Sequence, residues 1–265
     1  MKETAIVTGA SSGIGAVYAE RLARRGHNLV VVARDQARLE ALAERLSGRY
    51  GIAVTALSAD LSRDDGRDRV SAMLRSDEAH SILVNCAGVG AKGPVLQSER
   101  TGLESMLTLN VNVLHTLTVD AAQAFASRRR GAIINIASVV ALMPERFNAT
   151  YGAGKAFVLA FTQAIAAELE PYGVRVQAVL PGFTRTELFE RAGVDIEAIP
   201  PEMIMDAGDM VDAALAGFDH GEVVTIPSLA DVRLWSDLEK ARASLAPHLS
   251  LRHPAARYAA GGGPG

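Results

Sequence analysis

Seven short runs rich in Val and Ile recur along this chain, at residues 4–8, 28–33, 53–58, 82–85, 132–137, 175–180 and 222–227. Each has the length of a strand and is apolar at nearly every position, so it has no solvent face to offer. Between them lie longer segments of helix-forming composition, among them 14–25, 35–50, 101–127 and 151–170. Strands that are buried on both faces and joined by connections long enough to hold a helix pair in parallel, because an antiparallel pair needs only a tight turn. The alternation predicts an α/β fold: one parallel, seven-stranded, doubly wound sheet with helices on both faces.

Composition excludes several classes of function. Of 265 residues, 49% are hydrophobic and 22% charged, which supplies a full core and rules out disorder along the whole chain. No linker rich in Pro or Ser divides it, so a single domain over residues 1–257 is expected, followed by a flexible Gly-rich tail at 258–265. The formal net charge of -3 provides no global basic field, and the run Arg128–Arg130 reads as a solvated helix end, so no nucleic-acid partner is expected. No stretch of about 18 apolar residues occurs and the first residues hold no signal-peptide core, so neither a membrane span nor secretion is expected. The single cysteine, Cys86, has no intramolecular disulfide partner, which suits a reducing cytoplasm. The six histidines are scattered without ligand spacing, and no Gly-x-Ser-x-Gly elbow is present, so metal and hydrolase chemistry find no support.

Two motifs carry chemistry. The first predicted strand runs into Thr8-Gly9-Ala10-Ser11-Ser12-Gly13-Ile14-Gly15 and then a helix. Glycines at such a turn let the backbone approach a pyrophosphate, whose charge the free N–H groups of the helix N-terminus bind, although packing alone can also demand them. The second motif is Tyr151-Gly152-Ala153-Gly154-Lys155 in a predicted helix, which puts a phenol and an ammonium on one face. A phenol titrating near pH 10 needs a neighbouring cation to serve as acid and base near neutrality, and read alone the pair is also an ordinary surface pair.

Together with these motifs, Asp60 follows the third run, Asn85-Cys86-Ala87-Gly88 ends the fourth, Asn110 lies in the next helix, Ser138 stands thirteen residues before Tyr151, and Pro181-Gly182 with Thr186 follows the sixth run. In this order and spacing the chain resembles the short-chain dehydrogenase/reductase family along nearly its whole length. The resemblance implies a single-domain Rossmann fold and a catalytic tetrad of Asn110, Ser138, Tyr151 and Lys155. Ser138 would orient a substrate carbonyl and Tyr151 would donate a proton as hydride arrives from a nicotinamide. Lys155 would hold the nicotinamide ribose and lower the tyrosine pKa, and Asn110 would position a water linking Lys155 to solvent. Asn112 is a nearby rival for the Asn110 role, and Ser138 taken alone reads equally as a strand-end cap. The same resemblance assigns the cofactor to Gly9, Ser11, Ser12, Gly13, Ile14, Gly15, Arg34, Asp60, Leu61, Asn85, Ala87, Gly88, Tyr151, Lys155, Pro181, Gly182, Thr184 and Thr186.

Cys86 stands where the family has a second asparagine, so it must pack there as a small apolar residue. At the end of the second run the slot for an acid that binds a ribose 2′-hydroxyl holds Ala33, and Arg34 follows it. A guanidinium there suits a 2′-phosphate, which favours NADP(H) over NAD(H), unless Arg34 merely pairs with Asp35 at the helix entry. Residues 183–205, without a predicted strand, read as a lid, and Leu188, Phe189, Val194 and Ile196 with Val139, Val140, Leu142, Met143 and Phe147 suggest an apolar pocket. The family's helices that here carry Asn110 and Tyr151 commonly form dimers or tetramers, and the apolar stretch 157–167 suits a homo-oligomer. The expected function is NADPH-dependent hydride transfer between the nicotinamide and a small to medium apolar carbonyl or secondary alcohol. A non-catalytic NADP(H)-binding sensor or scaffold is the alternative from another class, and epimerisation or imine reduction would use the same fold.

Overall fold

The computed structural model describes residues 2–91, 93–188 and 195–258. The Gly-rich tail after Tyr258, and Phe189 and Val194 of the expected lid, lie outside the described residues. The first compact unit, Met1–Pro227, holds the sheet. Strands β1 (Thr4–Thr8), β2 (Asn28–Ala33), β3 (Val54–Ser58), β4 (His80–Asn85), β5 (Gly131–Ile136), β6 (Val174–Val179) and a two-residue strand at Val224–Thr225 form it in the order 3-2-1-4-5-6 with the last strand at the edge. Every pairing is parallel. The doubly wound seven-stranded sheet expected from the apolar runs is therefore present, with β1 and β2 ending where the sequence places them and the edge strand much shorter than residues 222–227.

Helices α1 (Gly13–Arg24), α2 (Gln36–Tyr50), α3 (Asp64–Ser76), α4 (Arg100–Leu107), α5 (Leu114–Arg128), α6 (Ala149–Leu169) and α7 (Ala207–Asp219) cover it. Alternate residues of each strand point to opposite faces. Ala5, Val7, Leu29 and Val31 pack with Tyr18, Leu39, Met210 and Phe218 on the side of α1, α2 and α7, while Ile6, Val30, Val32 and Leu83 pack with Val70, Leu117, Phe125 and Ile165 on the side of α3, α5 and α6. The second compact unit, Ser228–Gly265, contains helix α8 (Val232–Ala243), none of whose residues is buried. Among the described residues no helix is long and apolar enough to cross a membrane.

Two local features differ from the sequence reading. The helix expected over residues 101–127 is broken into α4 and α5 by a π-helical turn at Thr108–Val113, the kind of bulge that hydrophobic spacing does not reveal. The segment 183–205, read as free of strands, contains β7 (Phe183–Thr184) and β8 (Ile204–Met205), which pair in parallel, and the edge strand Val224–Thr225 is accordingly β9. A two-residue strand has too little sequence to show an alternation.

Candidate active site

The strand order reverses its direction of winding between β1 and β4, and in an open α/β sheet the crevice beyond the carboxyl ends at such a point is where ligands bind. Both chain segments that leave β1 and β4 run into it. Thr8, at the end of β1, accepts hydrogen bonds through Oγ1 from the amides of Cys86 (3.0 Å) and Ala87 (3.1 Å), clasping the two strand ends together. Gly9 has φ +68°, and a Cβ there would sit 2.9 Å from the backbone of Ala87, so only glycine fits the turn. A Cβ on Gly15 would collide with the carbonyl of Gly9, which lets α1 begin tight against the loop.

The loop fits the phosphates of a dinucleotide. Ser12, the residue before α1, makes no side-chain bond to the first turn, and no acid stands in that turn, so the first N–H groups of the helix are left for an anion. Thr186 lies over the same loop, its Cγ2 being 3.1 Å from where a Cβ on Gly13 would stand. Asp60 and Leu61 follow β3; Ser62 bonds to Asp60 through its hydroxyl (2.6 Å) and amide (3.0 Å) and holds its carboxyl below the ordinary range, helped by nearby Arg34. Arg34 is exposed at the end of β2. It does not cap or pair with Asp35, which accepts instead from the Arg38 amide at 3.0 Å and lies 3.5 Å from the Arg38 guanidinium.

Across the crevice, Ser138 follows β5 in extended conformation and α6 passes beside it. Its hydroxyl reaches the Pro181 carbonyl (3.4 Å) and lies within hydrogen-bonding reach of the Tyr151 phenol. Lys155, one turn on, is 8% exposed, donates from Nζ to the Ile136 carbonyl at 2.8 Å, and stands 5.8 Å from the centre of the Tyr151 ring. The helix can come this close because Gly152 faces Pro144 and Gly154 faces Val111, where a Cβ would already be at 3.1 and 3.3 Å. Burial pushes the Tyr151 phenol up to about 12, with Ser138 pulling the other way, and pushes the Lys155 ammonium down to about 8. Desolvation dominates the phenol, and the lowering that acts on it comes from Ser138 rather than from the Lys155 expected to supply it. Cys86, at the end of β4, is likewise pushed up to about 12 by burial, so it stays a neutral thiol.

Asn110 sits in the π turn, and both ends of its amide are engaged with Val89: Oδ1 accepts from the Val89 amide at 2.9 Å and Nδ2 donates to the Val89 carbonyl at 2.8 Å. Gly88 lies directly against it. The Asn85 side chain turns into the sheet, donating to Thr118 and Asn135, while the backbone of Cys86 and Ala87 meets Thr8 and Gly9 of the loop from β1. Thr184 is buried and donates to Gly182 at 3.2 Å, just after Pro181. Sequence reasoning passes over two residues of this neighbourhood. Thr8 precedes the glycines without being one, and Asn148, three residues before Tyr151, caps α6, a role that a cap residue ahead of a helical stretch does signal.

Comparison with known proteins gives the same picture. A short-chain dehydrogenase from Sphingobium yanoikuyae, solved in complex with NADPH, is 48% identical with a TM-score of 0.93 over 97% of this chain and 100% of its own. The bulky-bulky ketone specific alcohol dehydrogenase from Comamonas testosteroni is 42% identical with a TM-score of 0.90 over 97% and 99%. The very-long-chain 3-oxoacyl-CoA reductase of Podospora anserina is 37% identical over 69% of this chain, but the match spans only 55% of that longer protein. The model of the short chain dehydrogenase family matches residues 3–196. With that match covering well over half its length, the chain belongs to the short-chain dehydrogenases, a family of NAD(P)-dependent oxidoreductases.

Proposed function

We propose that this enzyme is an NADPH-dependent reductase of apolar ketones, or in reverse a dehydrogenase of the corresponding secondary alcohols, with Ser138, Tyr151, Lys155 and Asn110 as its catalytic residues. The observation that carries the reading is the grouping of the Ser138 hydroxyl, the Tyr151 phenol and the buried Lys155 ammonium at the carboxyl end of β5. When bound, the reduced nicotinamide supplies the hydride. Ser138 donates to the substrate carbonyl oxygen and fixes its position, and Tyr151, whose high pKa keeps it protonated near neutrality, gives its proton to the oxygen as charge develops there. Lys155 holds the ribose and adds positive charge beneath the phenol. Since the Asn110 amide is occupied by Val89, a water serving Lys155 would bond to the peptide carbonyl of Asn110 in the π turn.

The cofactor would lie along Gly9, Ser11, Ser12, Gly13, Ile14 and Gly15, with Asp60, Leu61 and the backbone of Asn85, Ala87 and Gly88 on one side and Pro181, Gly182, Thr184 and Thr186 on the other. The exposure of Arg34 and its lack of a bond to Asp35 support a contact with a 2′-phosphate, as does the Sphingobium relative, which was solved with NADPH. The substrate side is apolar. Leu142, Met143 and Phe147 follow Ser138 and are all exposed, and Phe147 meets Phe183 edge to face with ring centres 6.4 Å apart. Walls of this kind on two segments favour a ketone with bulky groups on both sides, the substrate class for which the Comamonas relative is named. Phe157, exposed on α6 and stacked on Phe161 at 5.6 Å, supports assembly through α5 and α6.

The test is NADPH consumption, followed by absorbance, against a panel of aldehydes, small aliphatic ketones and bulky aryl ketones. Bulky ketones should be turned over best. Tyr151→Phe should lower kcat by about a hundredfold or more with NADPH affinity retained, since a positioned proton donor typically supplies that factor. Arg34→Ala should raise KM for NADPH by about tenfold to a hundredfold and leave KM for NADH within about threefold, in line with one or two lost bonds to a charged group. A Tyr151→Phe enzyme with more than about a tenth of wild-type kcat refutes the catalytic assignment.

A further inference from the structure

Between the end of β4 at Asn85 and the short turn at Val95–Gln97, two asparagines from other elements hold the chain. Asn110 fixes its start at Val89. Asn148 fixes its far end: Nδ2 donates to the Gly93 carbonyl at 2.8 Å and to the Ser98 hydroxyl at 3.3 Å. The same side chain accepts, through Oδ1, the amides of Thr150 (3.0 Å) and of Tyr151 itself (3.1 Å), the first turn of α6. Asn148 is 9% exposed, so this polar group sits in a place where every unmet bond would be costly, and it has partners for both of its ends.

Helix capping alone does not call for asparagine. Ser, Thr or Asp would accept the same amides. Aspartate, however, would set a carboxylate oxygen against the Gly93 carbonyl, and serine has no second polar atom to reach it. The donor end is what distinguishes asparagine here, and it binds a different segment from the acceptor end. Exposed apolar residues flank it on both sides, Phe147 next in sequence and Val95 and Leu96 on the tethered segment.

We propose that Asn148 is a positioning residue for the reaction: by tying residues 93–98 to the amide of Tyr151, it sets the distance between the phenol and the exposed Val95 and Leu96, which add a third segment to the apolar substrate wall of Leu142, Met143 and Phe147. This rests on the reading of Tyr151 as proton donor. Misplacing a reacting group by about 1 Å can cost up to about a hundredfold in rate, so a tether of this kind has a kinetic signature besides its effect on stability.

The experiment compares Asn148→Ser and Asn148→Asp with the wild type and with Tyr151→Phe, using the full chain. Both Asn148 variants keep the cap and lose the tether. Asn148→Ser, which leaves the Gly93 carbonyl unmet, should melt about 2–12 °C lower, and Asn148→Asp somewhat lower still, while both keep NADPH affinity within about twofold. Their kcat/KM for a bulky ketone should fall about tenfold or more, and for a small aldehyde, which does not need the wall, much less. Asn148→Asp should in addition move the alkaline limb of the alcohol-oxidation pH profile upward, because a carboxylate at the Tyr151 amide disfavours phenolate, while Asn148→Ser leaves that limb in place. Wild-type kcat/KM in both variants overturns the proposal, and so does a fall that is equal for every substrate and tracks a collapse in melting temperature, which marks a purely structural cap. If Tyr151→Phe is itself fully active, the failure lies in the catalytic reading, and it shows in that variant alone.

Discussion

Lys155 brings an ammonium into a place where charge is costly, with one hydrogen bond to Ile136 and the face of a tyrosine ring as compensation. Burial lowers its pKa from the ordinary 10.5 to about 8. The unfolded chain therefore binds more protons than the folded one between those values, so stability rises with pH through that window and the full penalty is present below it. Lys155→Met should accordingly be inactive yet melt several degrees above the wild type at pH 7, at about 2–4 °C per kilocalorie, with the lost Ile136 bond offsetting part of the gain. The gain should shrink as pH rises from 8 towards 10.5. Thermal melts across that range decide it: an unchanged or lower melting temperature at pH 7, or a gain indifferent to pH, removes the argument. The pairing of Tyr151 with Lys155 was legible in the sequence because four residues are one helical turn, whereas the depth of burial that raises one pKa and lowers the other is a property of the packed helix. For the same reason spacing could nominate Asn85 and Asn110 but not show that one amide turns into the sheet and the other is taken up by Val89.

The elements that carry these residues are held in register by a polar chain within the core. Asn135 of β5 accepts from Asn85 of β4 at 2.9 Å and donates to Thr162 of α6 at 3.0 Å, and Asn85 donates to Thr118 of α5 at 3.0 Å. All four are buried, so Asn135→Ala would leave Asn85 and Thr162 each short of a partner away from water. A loss of about 2–3 kcal/mol is expected, seen as a lower urea midpoint with an unchanged slope. A loss below about 1 kcal/mol would mean that the network relaxes around the gap. At this scale most of the fold could be read from the sequence, since β1 to β6 are short runs rich in Val, Ile, Leu and Ala, interrupted by polar residues such as Arg175 and Gln177, and parallel pairing follows from their helical connections. What escaped has a common cause. The π turn at Thr108–Val113 shifts the helix without altering its composition, and β7 and β8 are two residues each, too short for a period to appear, whereas β9 lies within the expected run 222–227 and differs from it only in length.

Across the first unit, the sequence must also return its end to its beginning. Arg21 and Arg25 of α1 meet Asp212 and Asp219 of α7, 191 and 194 residues away, each through two nearly parallel bonds of 2.7–3.0 Å. In both pairs the arginine bond holds the carboxyl below its ordinary range. A carboxylate whose pKa is lower in the folded state stabilises above its unfolded value, and that contribution disappears as pH falls through the folded one. The groups are partly exposed, so each pair is worth at most about 1 kcal/mol after solvent screening, even with ideal fork geometry. Replacing both arginines by alanine should then lower the melting temperature by about 2–6 °C near neutral pH and low salt. The deficit should narrow below about pH 4, where the aspartates protonate in the unfolded chain and then in the folded one, and it should narrow again as salt is raised. Arginine stems also cover apolar surface, and a deficit carried by those stems would be the same at every pH and ionic strength. The dependence on both variables thus separates closure of the α/β unit by charge from closure by packing.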